Sequence, residues 1–261
     1  MTPEPDAEVP HPEPRRRRGQ KTREPAAPAR VLSVHAHPDD QEFSVGGTLA
    51  KWARAGSAIA TVCITSGQAG SNEHTPAHMT RESLAVIRRE EQRNACRVLG
   101  VADVIFLDYE DGMIEPSIAL RRDLTRIIRR YRPDAVVCGD PSVRYYGSGY
   151  LNHPDHRAAA DATLSAVFPS AETRLIFPEL LDEGLEPHKV QAVFIHGPER
   201  ADTFIDIKDV LPVKLAALRE HRTQLGDWDP TEMVTGWARE QGARRRLAAE
   251  SFRLMRFDEE S

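Results

Sequence analysis

Val31-Leu32-Ser33-Val34-His35-Ala36-His37-Pro38-Asp39-Asp40 decides how the rest of the chain reads. The apolar run Val31 to Val34 predicts a buried strand. A glycine pair, Gly46-Gly47, and a helical pattern near 45–55 follow it. A strand that ends in His and Asp presents them at its carboxyl edge, where open α/β sheets bind their ligands.

Zinc and similar divalent ions take imidazole nitrogen and carboxylate oxygen, and a catalytic site keeps three protein ligands and one open position. His37 and Asp40, three apart, can converge on one ion if the chain turns between them, and Pro38 suits such a turn. Asp39 is then a spare carboxylate beside the ion, where a general base belongs. Far downstream, His153-Pro154-Asp155-His156 repeats the pattern with two histidines three apart. One can complete the ligand set and the other can handle a proton. The residues alone do not choose between His153 and His156. A single His-Pro-Asp also reads as an Asx turn; two of them, each leading into a helix, favour the metal.

Outward from these stretches the chain alternates strand and helix from Arg30 on. That alternation predicts a mostly parallel, Rossmann-like α/β sheet with helices on both faces, additional edge strands and C-terminal helices. Further strands are expected at 58–65, 104–107, 134–138, 173–177 and 190–195, the last two as edge additions. Helices are expected at 81–99, 117–131, 157–167, 208–222 and 233–255, the last one burying Trp237, Leu247, Phe252 and Leu254. Acidic residues after the 104–107 strand, Asp108 and Asp111 among them, fit either sugar hydroxyls or a plain turn, and Asp111-Gly112 is a strong turn signal. Two loops are too long for simple connectors, 66–80 and 139–152. The second carries Arg144, Tyr145, Tyr146 and Tyr150 and delivers His153, so its aromatic rings are candidates for packing against a sugar.

Residues 1–29 hold seven of the nineteen prolines and almost no large apolar side chain, so they are expected to be a disordered tail ahead of a single domain over 30–257. No apolar segment follows the Arg15 to Arg18 run, and no stretch is long enough to span a membrane. A net charge of −5 gives nucleic acid no general attraction. Cys63, Cys96 and Cys138 lack paired spacing and read as buried thiols of a cytoplasmic protein. The first strand-helix turn lacks G-x-G-x-x-G, and the chain has neither a P-loop nor a G-x-S-x-G elbow.

Ala36-His37-Pro38-Asp39-Asp40-Gln41-Glu42, Gly46-Gly47-Thr48-Leu49-Ala50, Arg88-Arg89-Glu90-Glu91, Leu107-Asp108-Tyr109 and Asn152-His153-Pro154-Asp155-His156-Arg157-Ala158 together resemble the PIG-L/LmbE-like deacetylases. These are zinc-dependent enzymes that remove acyl groups from N-acyl amino sugars. The resemblance runs from about Arg30 to Phe257. It implies His37, Asp40 and His156 as metal ligands, selecting His156 as the third, with Asp39 as general base. It also implies His153, held by Asp155, as the group that stabilises the oxyanion and protonates the leaving amine, its charged form favoured by that carboxylate. Arg88 and Tyr150 become candidate substrate contacts. The implied cofactor is zinc, although a His2Asp set also suits iron(II) or cobalt. The implied partner is a small N-acylated amino sugar or glycoconjugate; a homo-oligomer stays open. Two other readings stand beside this one: a metal amidase acting on a thiol conjugate or other non-peptide amide, and a catalytically silent binding protein. The intact set His37, Asp39, Asp40, His153 and His156 speaks against the second.

Overall fold

The structure, a computed structural model, describes residues 24–245 and 248–257. Along the chain, β1 (Arg30–His35) leads to α1 (Asp40–Ser44), α2 (Gly46–Arg54), β2 (Ala58–Thr65), α3 (Arg81–Leu99), β3 (Asp103–Tyr109), α4 (Ile118–Tyr131) and β4 (Ala135–Gly139). A small hairpin, β5 (Tyr145–Tyr146) and β6 (Tyr150–Leu151), precedes α5 (Pro154–Ser165), α6 (Glu179–Asp182), β7 (Ala192–His196) and β8 (Thr203–Asp206). The chain then runs through α7 (Leu211–Leu218), α8 (Arg222–Leu225), α9 (Thr231–Gly242) and β9 (Ala249–Arg256).

The main sheet has the order β3-β2-β1-β4-β7-β9-β8. The first five strands are parallel, and β9 runs antiparallel to both of its neighbours. Strands β1, β2 and β4 are apolar nearly throughout because both of their faces are covered. Leu32, Val34, Val62 and Val136 look towards Leu124 and Ile128 of α4 and Ala159 of α5. Their alternates, Val31, Ile59 and Val137, look the other way, towards Leu49 and Trp52 of α2 and Leu99 of α3. After β3 the chain crosses to the opposite side of β1 to lay down β4. A crevice therefore opens between the carboxyl ends of β1 and β4, the usual ligand position in such sheets. His37 follows β1, and the β5-β6 hairpin beyond β4 delivers His153.

Four sequence expectations change. The strand expected at 190–195 as an edge addition is β7, inside the sheet, parallel to β4 on one side and paired with β9 on the other, because the end of the chain returns to cover its edge. Residues 173–177 form turns rather than a strand, because the buried guanidinium of Arg129 gathers the carbonyl oxygens of Ser170, Ala171, Thr173 and Ile176 and wraps the chain around itself. The helix expected over 233–255 stops at Gly242, and Ala249–Arg256 becomes β9 instead. Its local pattern tolerates a helix, but β8 pairs with its first half, residues 249–252, and β7 with its second, residues 252–256, which gives the backbone ladder partners along its length. Phe252 is buried as expected, whereas Trp237 is 43 % exposed, and Leu247 lies outside the described residues. The helix expected over 208–222 is shorter, broken at His221 into α7 and α8.

Residues 1–23 of the expected tail lie outside the described residues. From Glu24 the chain runs against the domain, with the Glu24 carboxylate on Lys51 Nζ at 2.5 Å and on the amide of Asp206. All three cysteines are buried free thiols. Among the described residues no helix is long and apolar enough to cross a membrane.

Candidate metal centre and active site

The turn after β1 is held in a conformation that its residues would not adopt unaided. Asp39 sits at φ 89°, in the left-handed region that costs a residue bearing a Cβ. Helix α3 holds it there. Gln92 Oε1 accepts the Asp39 amide at 2.9 Å, while Arg88 donates to Pro38 O at 2.7 Å and to Asp39 Oδ2 at 3.0 Å. The same turn swings Asp40 back, so that its Oδ2 accepts the His37 amide at 2.9 Å.

Three side chains converge as a result. His37 Nδ1 lies 3.3 Å from His156 Nε2 and 3.4 Å from Asp40 Oδ2, and His156 Nε2 lies 2.9 Å from Asp40 Oδ1. A tetrahedral ion with bonds of about 2.0–2.1 Å needs donors about 3.3 Å apart. The two nitrogens have the spacing of one edge of such a tetrahedron, and the Asp40 carboxylate closes the face, one oxygen towards each ring.

Each imidazole is also fixed from behind. His37 Nε2 meets Asp111 Oδ1 at 3.0 Å and Asp155 Oδ2 at 3.3 Å, and His156 Nδ1 meets Asn152 Oδ1 at 3.3 Å. A ring nitrogen that donates its hydrogen to a carboxylate or carbonyl leaves the other nitrogen's lone pair for a metal. Each ring thus turns its other nitrogen, His37 Nδ1 and His156 Nε2, towards Asp40.

The electrostatics call for a cation. The carboxylates of Asp39, Asp40, Asp111 and Asp155 surround two imidazoles, with the Arg88 guanidinium on one side only. Burial opposes a charge on His37, but Asp40, Asp111 and Asp155 overcome it and raise its pKa to about 12. His156 rises as well, against burial, because of Asp40. For Asp40 burial works upwards, yet the two imidazoles hold it well below the usual carboxylate range. Burial pushes the Asp39 carboxyl up, opposed by Arg88 and reinforced by Asp40.

His153 caps the amino end of α5, its Nδ1 accepting the Asp155 amide at 3.2 Å. The carboxylate clamp expected for it is absent. Asp155 Oδ1 stands 4.0 Å away, because the two oxygens accept the amides of Ile114 and Gly112 and face His37. Burial, followed by the positive His37 and His156, lowers the His153 pKa, the reverse of the expected direction. A neutral His153 with Nδ1 accepting carries its hydrogen on Nε2.

Arg88 is only 2 % exposed and lies beneath Asp39, not on an open wall. The hairpin stands over the crevice, with Tyr146 and Tyr150 directly opposite each other and the Tyr146 hydroxyl donating to Gly197 O at 3.0 Å. Tyr150 is 54 % exposed, its phenol pushed up by burial and then by the charge of Asp40. The 66–80 loop is tied down by Asp111 Oδ2, which accepts the Ala69 amide at 2.7 Å, and by Asn72, which donates to the Thr223 and Gln224 carbonyls. Sequence reasoning did not find the partners of the imidazoles, Asp111 and Asn152. Asp111, just past the end of β3, offered a signal only as an acidic residue at the carboxyl edge.

A family model described as GlcNAc-PI de-N-acetylase matches residues 32–167, which include the whole of this centre. The chain belongs to this PIG-L family. Among its PIG-L relatives is a diacetylchitobiose deacetylase of Thermococcus kodakarensis, 32 % identical over 77 % of this chain and 74 % of that one. A 1D-myo-inositol 2-acetamido-2-deoxy-alpha-D-glucopyranoside deacetylase of Saccharopolyspora erythraea is 30 % identical over 77 % of this chain and 80 % of its own. The solved structure of the N,N'-diacetylchitobiose deacetylase of Pyrococcus horikoshii superposes with a TM-score of 0.80 at 31 % identity, covering 88 % of this PIG-L chain and 84 % of that one.

Proposed function

We propose that this N-deacetylase hydrolyses the N-acetyl amide of an amino sugar, free or within a glycoconjugate, with a divalent ion, zinc in the first instance, bound by His37, Asp40 and His156. The observation that carries the reading is the convergence of two imidazole nitrogens and the Asp40 carboxylate beside an acidic side chain that is not part of the set, Asp39. The relatives' substrates, diacetylchitobiose and a 2-acetamido-2-deoxyglucopyranoside, support an N-acetylated amino sugar as the substrate class.

The bound ion supplies Lewis acidity, which polarises the amide carbonyl and acidifies water beside it. The remaining work falls to side chains. Asp39 accepts a proton from the water that attacks the acyl carbon. Having taken it, Asp39 can return it to the departing nitrogen, the transfer expected of His153, whose charged form its surroundings disfavour, so one carboxyl group serves both proton transfers. His153, neutral and with its hydrogen on Nε2, donates a hydrogen bond to the oxygen that becomes negative in the tetrahedral state. Asp155 acts through His37, whose ring it orients together with Asp111. Tyr150, above the crevice, gives the sugar a face to pack against. The products are a free amine and acetate.

The test combines elemental analysis of the purified protein with amine release from N-acetylglucosamine, N,N'-diacetylchitobiose and a simple N-acetylglucosaminide, with and without chelator. About one ion per chain and chelator-sensitive release are the expected results. A protein that takes up no divalent ion under any loading condition would sink the reading.

A further inference from the structure

The sequence marks Arg88 as a candidate substrate contact, but its surroundings give it a different task. With 3 % of its side chain exposed, the guanidinium is turned almost wholly into the protein. Its N–H groups are turned inward. NH2 donates to Pro38 O and Asp39 Oδ2, and NH1 donates to Gly67 O at 2.8 Å. Its Nε is buried and meets no acceptor.

The loop after β2 is built around this group. A Cβ on Gly67 would stand 2.2 Å from Arg88 NH1, and one on Gly70 would stand 2.4 Å from the same atom. Gly67 needs glycine for its backbone as well, at φ +66°, whereas at Gly70 no positive φ is involved and the tightest contact a Cβ would make is with the guanidinium. Gln224 secures the turn from outside by donating to Gly70 O at 2.9 Å. The strained residue, Asp39, thus rests on an arginine that is itself packed between two glycines.

We infer that Arg88 is a positioning residue for the base: it fixes the Asp39 carboxylate and the strained Pro38-Asp39 turn, and it makes no contact with substrate. The inference rests on the proposed role of Asp39. One guanidinium nitrogen bonds Pro38 O and Asp39 while the other bonds Gly67 O, and the single nitrogen of a lysine ammonium cannot hold both ends of that span. A misaligned base slows the chemical step without weakening the grip on the sugar, so the loss falls on kcat and not on KM.

Two variants test this, each measured beside the wild type with metal content checked. Arg88→Lys keeps the charge and loses the fork. Gly70→Ala keeps the arginine and pushes its tip away from Asp39, so it serves even if Arg88→Lys folds poorly. For both, kcat is expected to fall about 10- to 100-fold, with KM within about twofold and metal content per chain unchanged. The crystal structure of Gly70→Ala, expected to show the Asp39 carboxylate displaced, reads the same point without any substrate. A raised KM with kcat retained would return Arg88 to the substrate and overturn the inference, as would an Asp39 that has not moved. Wild-type protein that releases no amine from any acyl sugar defeats the proposed function instead, and the crystallographic result then decides this inference on its own.

Discussion

His37 Nε2 lies 3.0 Å from Asp111 Oδ1, while the opposite nitrogen of the same ring, Nδ1, faces Asp40 and His156. A carboxylate just beyond β3 therefore orients a ligand that follows β1. Asp111→Asn keeps an acceptor but removes the charge. Metal affinity should fall about 10- to 100-fold, measured by competition with a chelator of known affinity. Unchanged affinity would mean that Asp155 alone orients the ring.

Asp39→Asn and His37→Ala separate chemistry from binding. The first should retain about one ion per chain and lose about a hundred- to ten-thousand-fold in turnover. The second should lose the ion. Elemental analysis and amine release on the same preparations check both, and wild-type turnover in Asp39→Asn would remove it as the base.

Metal uptake should expel protons. His37, raised to about 12, is protonated near neutral pH without an ion, His156 is raised as well, and a lone pair that carries a proton must be freed to ligate. About one to two protons should leave per ion, so affinity should rise with pH by about tenfold per unit for each proton released. Calorimetry in buffers of different ionisation enthalpy counts them directly.

His35, 3 % exposed, takes a hydrogen bond between Ser33 Oγ and its Nε2 at 2.8 Å and stacks on His196. Burial, opposed by Asp40 and Glu42, lowers its pKa to about 4. Below the ordinary value of 6.5 the unfolded chain binds a proton that the folded chain refuses. Stability is then full above pH 6.5 and falls by about 1.4 kcal/mol per pH unit between 6.5 and 4 on account of His35 alone. Over that window His37 is protonated in the folded state and adds little slope. Urea midpoints at pH 7 and pH 5 should show the loss, and His35→Asn should reduce it.

Arg129→Met should destabilise the fold by about 3 kcal/mol or more, since four backbone carbonyl oxygens lose their charged donor together. A urea midpoint within error of the wild type would show that water replaces the guanidinium there.

Much of this protein could be read before any tertiary structure. The alternation of apolar strands with helical patterns, the glycine after α3 and the serine before α4 are local signals, and local signals survive without knowledge of neighbours. His37-Pro38-Asp39-Asp40 and His153-Pro154-Asp155-His156 carry their chemistry in their own spacing. The end of the chain was less legible. Residues 249–256 tolerate a helical pattern, and only the free ladder edges of β7 and β8 make them a strand.

The sequence by itself determined the α/β class and the residue types of the centre, because periodicity and motif spacing are properties of short segments. Tertiary structure alone decided how those residues divide the work. It committed Asp155 to His37 and the backbone beyond β3, brought Asp111 and Asn152 behind the two imidazoles, and buried Arg88 under Asp39. Each of these pairings except Asn152–His156 joins residues from distant parts of the chain, and the sheet order brings them together at one edge. A side chain's role follows from which partner satisfies it, and that partner is chosen by packing rather than by neighbours in sequence.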